Sequence, residues 1–341
     1  MRIVVDAMGS DNRPGPDVAG AVMAAREFGD TIILVGDQAQ IEAELRQLDT
    51  ANLRLEIKHA GQAVNMTDKP SEVVKSKPDS SMHVGLGLVK SGEAEAFVSA
   101  GNTGAVLSIA MLRQGGPGGI PGVERPALGV MFPTKERPFL MDNGANADCR
   151  PEYMPQFGLM GSLYMAQVVG IANPRVALIS NGEEEGKGNT LIKESMPLLA
   201  ASGLNFIGNI EPKEFMRGAA DVALTDGFTG NIMMKTAEAI ASYMSDLIRD
   251  ELMANPMTAV GGLLAKSAFG RVRRRLDPHE VGGAPLLGVN GVVIIGHGRS
   301  NAYAIKQAVG QARQMVGHNV VAAIANGLAE TKPAAQLKEE L

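Results

Sequence analysis

Six short runs of β-branched and aliphatic residues constrain the fold of this 341-residue chain more than any other feature, because each run ends in a cluster of Gly, Asn, Asp or Ser. The runs cover residues 3–6, 96–99, 139–142, 176–180, 222–225 and 292–295. They are continuous rather than alternating, as expected of strands that are buried on both faces. Apolar residues at helical spacing follow most of them, over residues 103–113, 151–169, 190–201, 229–251 and 301–325. This order predicts an α/β fold, with a mostly parallel sheet and helices on both of its faces.

Composition excludes several classes of protein. Apolar residues make up 45% of the chain, which is typical of a globular core. A net charge of −5 and an aromatic content of 4% argue against nucleic-acid binding. One cysteine excludes an internal disulfide, and the chain turns polar too early for a signal peptide. The longest apolar run near the C-terminus is about half of the roughly 20 residues that a spanning helix needs. We therefore expect a soluble, cytoplasmic protein.

The polar clusters that follow the six runs predict a binding cleft. In open α/β sheets ligands bind outside the carboxyl ends of the strands, so we expect all six loops to lie at one edge. Glycines let backbone N–H groups approach a ligand, and helix N-termini favour anions. Asn, Ser and Thr add neutral donors, so the set suits a small anion. Lys187, alone among glycines in "NGEEEGKGN", either points into this cleft or pairs with the neighbouring glutamates.

Established motifs do not explain these loops. Gly186-Lys187-Gly188 does not complete a P-loop, and "GHGRSN" lacks the last glycine of a dinucleotide fingerprint. No H-E-x-x-H or paired C-x-x-C is present. Cys149 has no activating base nearby in sequence, which favours an inert thiol. Glu183 to Glu185, with Asp142 and Asp226, could bind a metal, but a solvated acidic turn is the better interpretation, so we predict no metal site.

Taken together, the loops resemble those of a known family. "VVDAMGSDN", "SAGNTGA", "MDNGAN", "NGEEEGKGN", "TDGFTGN" and "GVNGVVIIGHGRSN" occur in this order. The set resembles the bacterial phosphate acyltransferases of fatty acid and phospholipid synthesis, the PlsX family, over residues 1 to about 325. The resemblance implies a three-layer α/β/α sandwich, similar to the phosphotransacetylase and isocitrate/isopropylmalate dehydrogenase folds. We place one catalytic domain at residues 1–327, with a basic apolar helical protrusion at about 251–276 and a polar tail over residues 328–341; the protrusion and the tail are the parts that least resemble the family.

The same resemblance implies an activity and partners. Long-chain acyl-acyl-carrier-protein and inorganic phosphate would give acyl phosphate and free carrier protein. A membrane glycerol-3-phosphate acyltransferase would consume the acyl phosphate. The family needs no cofactor, forms homodimers and associates peripherally with the inner face of the cell membrane, with no nucleic acid involved.

Acyl transfer from a thioester to phosphate needs a held phosphate, oxyanion donors and exclusion of water, and it has little need of a strong base. We assign catalytic roles to Lys187 and Asn231, as a cation for the phosphate or oxyanion and as a second donor. The remaining polar loop positions are predicted to bind phosphate and substrate or to shape the cleft: Asp6, Ser10, Asp11, Ser99, Gly101, Asn102, Thr103, Gly104, Asn143, Gly144, Asn146, Asp226, Gly227, Thr229, Gly230 and His297. For single loops, turn geometry and helix capping remain alternatives.

Residues 253–276 combine positive charge with apolar side chains in a chain that is acidic overall. The apolar members are Leu263, Leu264 and Phe269, and the basic members are Lys266, Arg271, Arg273, Arg274 and Arg275. Contact with anionic lipid, docking of an acidic carrier protein, and a packing helix in a dimer all fit this pattern.

Two other functions stay open from the sequence. A metal-dependent β-decarboxylating dehydrogenase of the related fold would reduce a nicotinamide cofactor, although the loops lack a basic cluster for its carboxylate substrate. A membrane-recruited scaffold would need the basic segment and would not need Lys187.

Overall fold

The computed structural model describes residues 1–112, 115–277, 280–332 and 336, with the side chains of Arg273 and Arg275 outside the described part. All six predicted runs form strands, and one sheet of eleven strands contains them. The strands are β1 (Arg2–Asp6), β2 (Thr31–Gly36), β3 (Leu55–His59), β4 (Ala96–Ser99), β5 (Ala127–Met131), β6 (Phe139–Met141), β7 (Val176–Ile179), β8 (Phe206–Ile210), β9 (Val222–Leu224), β10 (Ala284–Leu287) and β11 (Val292–Ile295).

Helices flank the sheet, and each predicted helical segment overlaps at least one of them. They are α1 (Gly15–Phe28), α2 (Gln38–Leu45), α3 (Pro70–Ser76), α4 (Ser81–Ser91), α5 (Thr103–Ala110), α6 (Tyr153–Tyr164), α7 (Thr190–Ala200), α8 (Pro212–Met216), α9 (Gly227–Met253), α10 (Pro256–Leu276), α11 (Ala302–Gly317) and α12 (Val320–Glu330). Met165–Val169 extends α6 as a π-helical turn. The single helix predicted over residues 301–325 is wrong. It is divided at Asn319, whose φ of 50° is left-handed, a conformation that Asn tolerates better than most residues.

The sheet is mostly parallel, as predicted, but it contains two parallel groups that run in opposite directions. The strand order is β3-β2-β1-β4-β11-β10-β5-β6-β9-β7-β8. The first five strands in that order, β3, β2, β1, β4 and β11, are parallel to one another. The last four, β6, β9, β7 and β8, are also parallel to one another. Between them, β10 is antiparallel to β11 and β5, and β5 is antiparallel to β6. The expectation that all six polar loops leave one edge of the sheet is therefore wrong.

The two faces of the sheet are covered differently. On one face a continuous core packs side chains of both strand groups against α1, α6, α11 and α12. On the other face the core is divided. One cluster surrounds Phe97 beneath α4 and α5, and another surrounds Phe215 and Met234 of α8 and α9. Leu128 belongs to the first cluster and Val130 to the second, although both lie on β5. The gap between these two clusters is where a ligand can reach the centre of the sheet.

Helices α9 and α10 pack against each other, and the segment predicted as a helical protrusion, at about 251–276, covers α10 and the last residues of α9. Many of their large apolar side chains are exposed, including Tyr243, Met257 and Leu264, which are 66%, 85% and 81% exposed. No helix in the described ranges has both the length and the hydropathy needed to span a membrane. The predicted division into one domain, a protrusion and a tail stays a prediction, and most of residues 333–341 lie outside the described part.

Candidate active site

A cavity of about 550 Å³ opens over β5, in the gap between the two cores. Its floor is apolar and includes Leu128, Val130 and Met234. One side, here called the α5 wall, consists of residues 99–104 with the loop 296–298. The other side, the α9 wall, consists of the loop 142–146 with the first turns of α9. The cavity therefore brings together loops from oppositely directed strands, because β5 and β6 form the hairpin that joins the two strand groups.

Nine of the predicted site residues line this cavity. They are Asp11, Gly101, Asn102, Thr103, Gly104, Asn143, Gly144, Asn231 and His297. Asp6, Ser10, Ser99, Asn146, Asp226, Gly227, Thr229 and Gly230 are not among the lining residues, and most of them make hydrogen bonds that hold the walls in place. The roles assigned to these side chains in binding and catalysis stay predictions.

A buried carboxylate holds the α5 wall. Asp6 accepts hydrogen bonds from the Ser99 hydroxyl at 2.7 Å and from the Met8 N–H at 3.0 Å. The Ser99 hydroxyl in turn accepts the N–H of Gly101 at 3.1 Å. Burial raises the pKa of Asp6, while the hydrogen bond from Ser99 opposes the rise. The turn after β4 is thereby fixed, so that α5 begins at the cavity.

Among the described residues, the first two backbone N–H groups of α5 have no recorded hydrogen-bond acceptor. The Asn102 side chain caps this helix, accepting the N–H of Ala105 at 3.1 Å. Thr103 and Gly104 occupy the first two helical positions, where N–H groups have no intrahelical acceptor. Both residues line the cavity, so these N–H groups can bind an anion there.

Asn102 also fixes a loop at the mouth of the cavity. Its side-chain amide donates to the backbone carbonyls of Met66 at 3.2 Å and Asp68 at 3.0 Å. Met66 itself lines the cavity. Both polar groups of the Asn102 side chain therefore have structural contacts. The oxygen caps α5, and the amide group acts as a clamp on the loop that contains Met66 and Asp68.

Ser10 lies in a buried polar pair behind the α5 wall. Its hydroxyl donates to Asp17 Oδ2 at 2.5 Å, and Asp17 Oδ1 is buried without a partner. Burial raises the pKa of Asp17 to about 8, and the nearby charge of Asp6 adds to the rise. Asp17 was not predicted as a relevant residue, since an acid in the first turn of a helix is ordinarily solvent-exposed.

Asp142 holds the α9 wall with five hydrogen bonds. Oδ1 accepts the N–H groups of Leu128, Gly144 and Ala145, and Oδ2 accepts the N–H and side-chain amide of Asn146. Burial raises the pKa of Asp142, and the donors from Ala145 and Leu128 oppose the rise. This carboxylate joins β5 to the loop after β6, which places Asn143 and Gly144 at the cavity.

The first turn of α9 packs directly on that loop. A Cβ on Gly230 would lie 2.0 Å from the carbonyl oxygen of Asp142, so only glycine permits this approach. The Gly227 N–H donates to the Asn146 carbonyl at 2.7 Å. Asp226 caps the helix, accepting the Thr229 N–H at 2.7 Å and the Thr229 hydroxyl at 3.0 Å. These contacts fix the direction in which Asn231 leaves the helix.

Two side-chain amides of the α9 wall face the cavity. A Cβ built on Gly144 would be 3.4 Å from Asn231 Nδ2, so the Asn231 amide lies against this backbone. The Asn143 side chain makes no recorded hydrogen bond, and its oxygen is buried. An amide without a partner can turn its donor or its acceptor toward a ligand.

Lys235 and Glu238 also line the cavity, and sequence reasoning missed both. Lys235 lies four residues after Asn231, a spacing that puts two side chains on one helix face. That spacing was visible in the sequence once Asn231 had been chosen. His297 lies opposite, and its Nδ1 accepts the Arg299 N–H at 3.3 Å.

The loop after β7 places Lys187 away from the cavity lining. Lys187 is exposed, its N–H donates to the Glu184 carbonyl at 2.9 Å, and its stem lies over Gly182. No ion pair between Lys187 and a neighbouring glutamate is recorded in the described part of the chain. Its catalytic role stays a prediction.

The other reactive groups near the site have plain structural surroundings. Burial raises the pKa of the Cys149 thiol to about 12, which keeps it protonated at neutral pH. Within the described residues, no three His, Cys, Asp or Glu side chains form a group suited to a metal ion. The oxygens of Asp142 are engaged by the five donors described above.

Comparison with known proteins adds a family and a fold. The family model described as "Fatty acid synthesis protein" matches residues 1–323. A phosphate acyltransferase of Elusimicrobium minutum is 44% identical over 334 residues, covering 97% of each chain. A phosphotransacetylase of Streptococcus pyogenes has a similar fold, with a TM-score of 0.57 and 18% identity. The match covers 99% of this chain and 94% of the phosphotransacetylase chain. A 4-hydroxythreonine-4-phosphate dehydrogenase of Klebsiella pneumoniae also has a similar fold, with a TM-score of 0.50 and 11% identity. The match covers 93% of this chain and 97% of the dehydrogenase chain.

Proposed function

This chain belongs to the fatty acid synthesis protein family, whose relative from Elusimicrobium minutum is a phosphate acyltransferase, and on that premise we propose that it transfers a long-chain acyl group from acyl carrier protein to inorganic phosphate. It is an acyltransferase. The observation that carries the finer proposal is the convergence of free backbone donors at α5 with the Asn143 and Asn231 amides over an apolar floor. The products are acyl phosphate and free carrier protein.

Phosphate binds at the start of α5 in this proposal. The N–H groups of Thr103 and Gly104 donate to its oxygens, and the helix N-terminus favours its negative charge. Asn143 and His297 line the same space and can add donors. A cavity of about 550 Å³ lies within the range of small-molecule sites, so it can hold the phosphate and the reacting end of the acyl group.

The reaction then follows from position. A phosphate oxygen attacks the thioester carbonyl, a C–O bond forms, and the carbonyl oxygen becomes an oxyanion. Asn231 donates to that oxyanion from the α9 wall. The C–S bond breaks as the oxyanion collapses, and the released thiolate takes a proton from solvent. Leu128, Val130 and Met234 contact the first carbons of the acyl chain and exclude water from the carbonyl.

Phosphate-dependent thiol release tests this proposal. Pure protein is incubated with a long-chain acyl-acyl-carrier-protein, free thiol is followed with and without phosphate, and acyl phosphate is trapped with hydroxylamine. We expect release only with phosphate, and one hydroxamate for each thiol. Release that is independent of phosphate would reject the assignment.

An Asn231→Ala variant sharpens the test. Loss of an oxyanion donor should lower kcat about a hundredfold. Asn326→Ala is the matched control, because Asn326 is an exposed helical asparagine on α12, away from the cavity. Equal activities of the two variants would remove Asn231 from the mechanism. Lys187→Met, measured beside them, tests the catalytic lysine predicted from the sequence.

The helical pair α9–α10 supports the proposed partners. Leu263, Leu264 and Phe269 are exposed on α10, beside exposed Lys266, Arg271 and Arg274. The side chains of Arg273 and Arg275 lie outside the described residues. An apolar surface with adjacent positive charge suits contact with anionic lipid and with an acidic carrier protein, and a second copy of the chain can cover the exposed face of α9. Peripheral binding at the inner membrane face would bring acyl phosphate to a glycerol-3-phosphate acyltransferase there.

Three measurements separate these partners. A Leu263→Ser, Leu264→Ser variant should lose co-flotation with vesicles that contain anionic phospholipid while its kcat stays unchanged. A Lys266→Gln, Arg271→Gln, Arg274→Gln variant should raise KM for the acyl carrier substrate. An Ile240→Ser, Tyr243→Ser variant should sediment as a monomer. If none of the three variants changes its readout, the partners assigned to this helical pair are wrong.

A further inference from the structure

Lys187, the cation predicted for the phosphate site, does not line the cavity. Asp11 and Glu238 line the cavity with carboxylates, and His297 contributes an imidazole. Among the described residues that line it, Lys235 alone is a lysine or arginine. A phosphate that enters this space loses water on several sides, so an unbalanced site would bind it poorly.

Lys235 is placed to supply that charge. It extends from α9 one turn beyond Asn231, on the same helix face, and both side chains line the cavity. In the described part of the chain neither the Lys235 side chain nor the Glu238 side chain has a recorded hydrogen bond or ion pair. The ammonium group of Lys235 is therefore not committed to a structural partner.

Lys235 also lies where the cavity meets an apolar surface. It lines a second, shallow and almost entirely apolar groove of about 420 Å³ along α9, with Ile232, Ile240 and Tyr243. A lysine in such a position lays its aliphatic stem on the apolar surface and directs its ammonium group to the polar side. An acyl phosphate has the same two parts, an anionic head and an apolar chain.

We propose that Lys235 binds the phosphate group of the substrate and of the acyl phosphate product, opposite the free N–H groups at the start of α5. This inference rests on the proposed function. It assigns to α9 the cation that sequence reasoning assigned to Lys187. The ammonium group offsets the charge of phosphate and of the oxyanion that forms beside it, and Asn231 on the preceding turn supplies the neutral donor.

The test compares single-charge variants of the full-length protein. Lys235→Met removes the charge and keeps the stem, and Lys235→Arg keeps the charge. Lys193→Met is the matched control, because Lys193 is an exposed lysine on α7 that does not line the cavity. For each variant, KM is measured for inorganic phosphate and for the acyl carrier substrate, and binding of inorganic phosphate is measured by calorimetry without the acyl substrate.

Lys235→Met should weaken phosphate binding and raise KM for phosphate at least about tenfold, the loss expected for one charge-assisted contact. KM for the acyl carrier substrate should change less than about twofold. Lys235→Arg should restore most of the loss, and Glu238→Gln should tighten phosphate binding because it removes a neighbouring negative charge. If Lys235 had only a structural role, its replacement would change both KM values alike, and Lys235→Arg would not restore them.

Two results would overturn the inference. One is an unchanged phosphate affinity in Lys235→Met, and the other is an equal rise of both KM values that arginine does not restore. Calorimetry keeps this outcome separate from the proposed function, because it needs no turnover. If the wild type binds phosphate through Lys235 but releases no thiol, the proposed reaction fails and this site stands.

Discussion

The two walls of the cavity have similar components but are stabilised by different hydrogen bonds. Each contains a loop that follows a strand and the start of a helix, and each is held by a buried carboxylate. Asp6 holds the α5 wall through the Ser99 hydroxyl, whereas Asp142 accepts four hydrogen bonds from the loop of the α9 wall and a fifth from Leu128 of β5. The α5 wall presents backbone N–H groups, and the α9 wall presents the side chains of Asn231 and Lys235. In the proposed function this difference divides the roles. The α5 wall binds the anion through its backbone, and the α9 wall positions the longer side chains of Asn231 and Lys235, which need rigid support.

Replacement of Asp142 should have the largest effect. Asp142→Ala leaves buried donors of the α9 wall without an acceptor, which should lower the free energy of unfolding by about 3–5 kcal/mol. Urea denaturation measures the loss. Asp148→Ala, at an exposed position in the same loop, should stay within about 0.5 kcal/mol of wild type. A small loss for Asp142→Ala would mean that the α9 wall does not depend on this carboxylate.

Asp17, a second buried acid behind the α5 wall, predicts a pH dependence of stability. The pKa of Asp17 is raised to about 8, so its stabilising contribution is complete below the unfolded pKa near 4 and is lost as pH rises through the folded pKa. Between about pH 5 and 7, wild type should lose up to about 1.4 kcal/mol per pH unit relative to Asp17→Asn. Denaturation at stepped pH measures this slope. Asp246→Asn, at an exposed site on α9, should parallel wild type, and a parallel Asp17→Asn curve would contradict the prediction.

Gly230 tests how closely α9 must approach its support. Gly230→Ala puts a methyl group against the Asp142 carbonyl and should cost about 1–3 kcal/mol, although alanine ordinarily favours a helix. Gly270→Ala on α10 meets open space and should gain about 0.5–1 kcal/mol. Thermal unfolding distinguishes the two signs. A stabilising Gly230→Ala would show that the α9 wall can move away without loss.

Asn102 tests the clamp on the α5 wall, with the smallest expected effect on stability. Asn102→Ala removes a helix cap and should cost about 1 kcal/mol. Release of the loop that carries Met66 should also raise KM for the acyl substrate. Asp37→Ala removes a comparable cap at the start of α2, where Asp37 accepts the Gln40 N–H at 3.0 Å, and should match the stability loss with no change in KM. Identical KM values for the two variants would remove the clamp from the proposed site.

The sequence determined much of the fold because its signals are local. Continuous apolar runs identify strands that are buried on both faces, and all six formed strands in a mostly parallel sheet. The N-terminal ends of α5 and α9 follow from Asn102 and Asp226, since a capping side chain acts on a backbone N–H only three residues away. The same locality let a set of loop motifs predict the family that comparison confirmed.

Only the tertiary structure decided which loops meet. Strand direction in β10 and β5 depends on pairing between distant segments, and it sent the two strand groups in opposite directions. Burial of individual carboxylates, which no local pattern reports, lets Asp6 and Asp142 hold the two walls. The same long-range packing left Lys187 off the cavity lining and placed Lys235 on it. A spacing pattern identifies the residues that share a helix face, but the environment of that face depends on the rest of the chain.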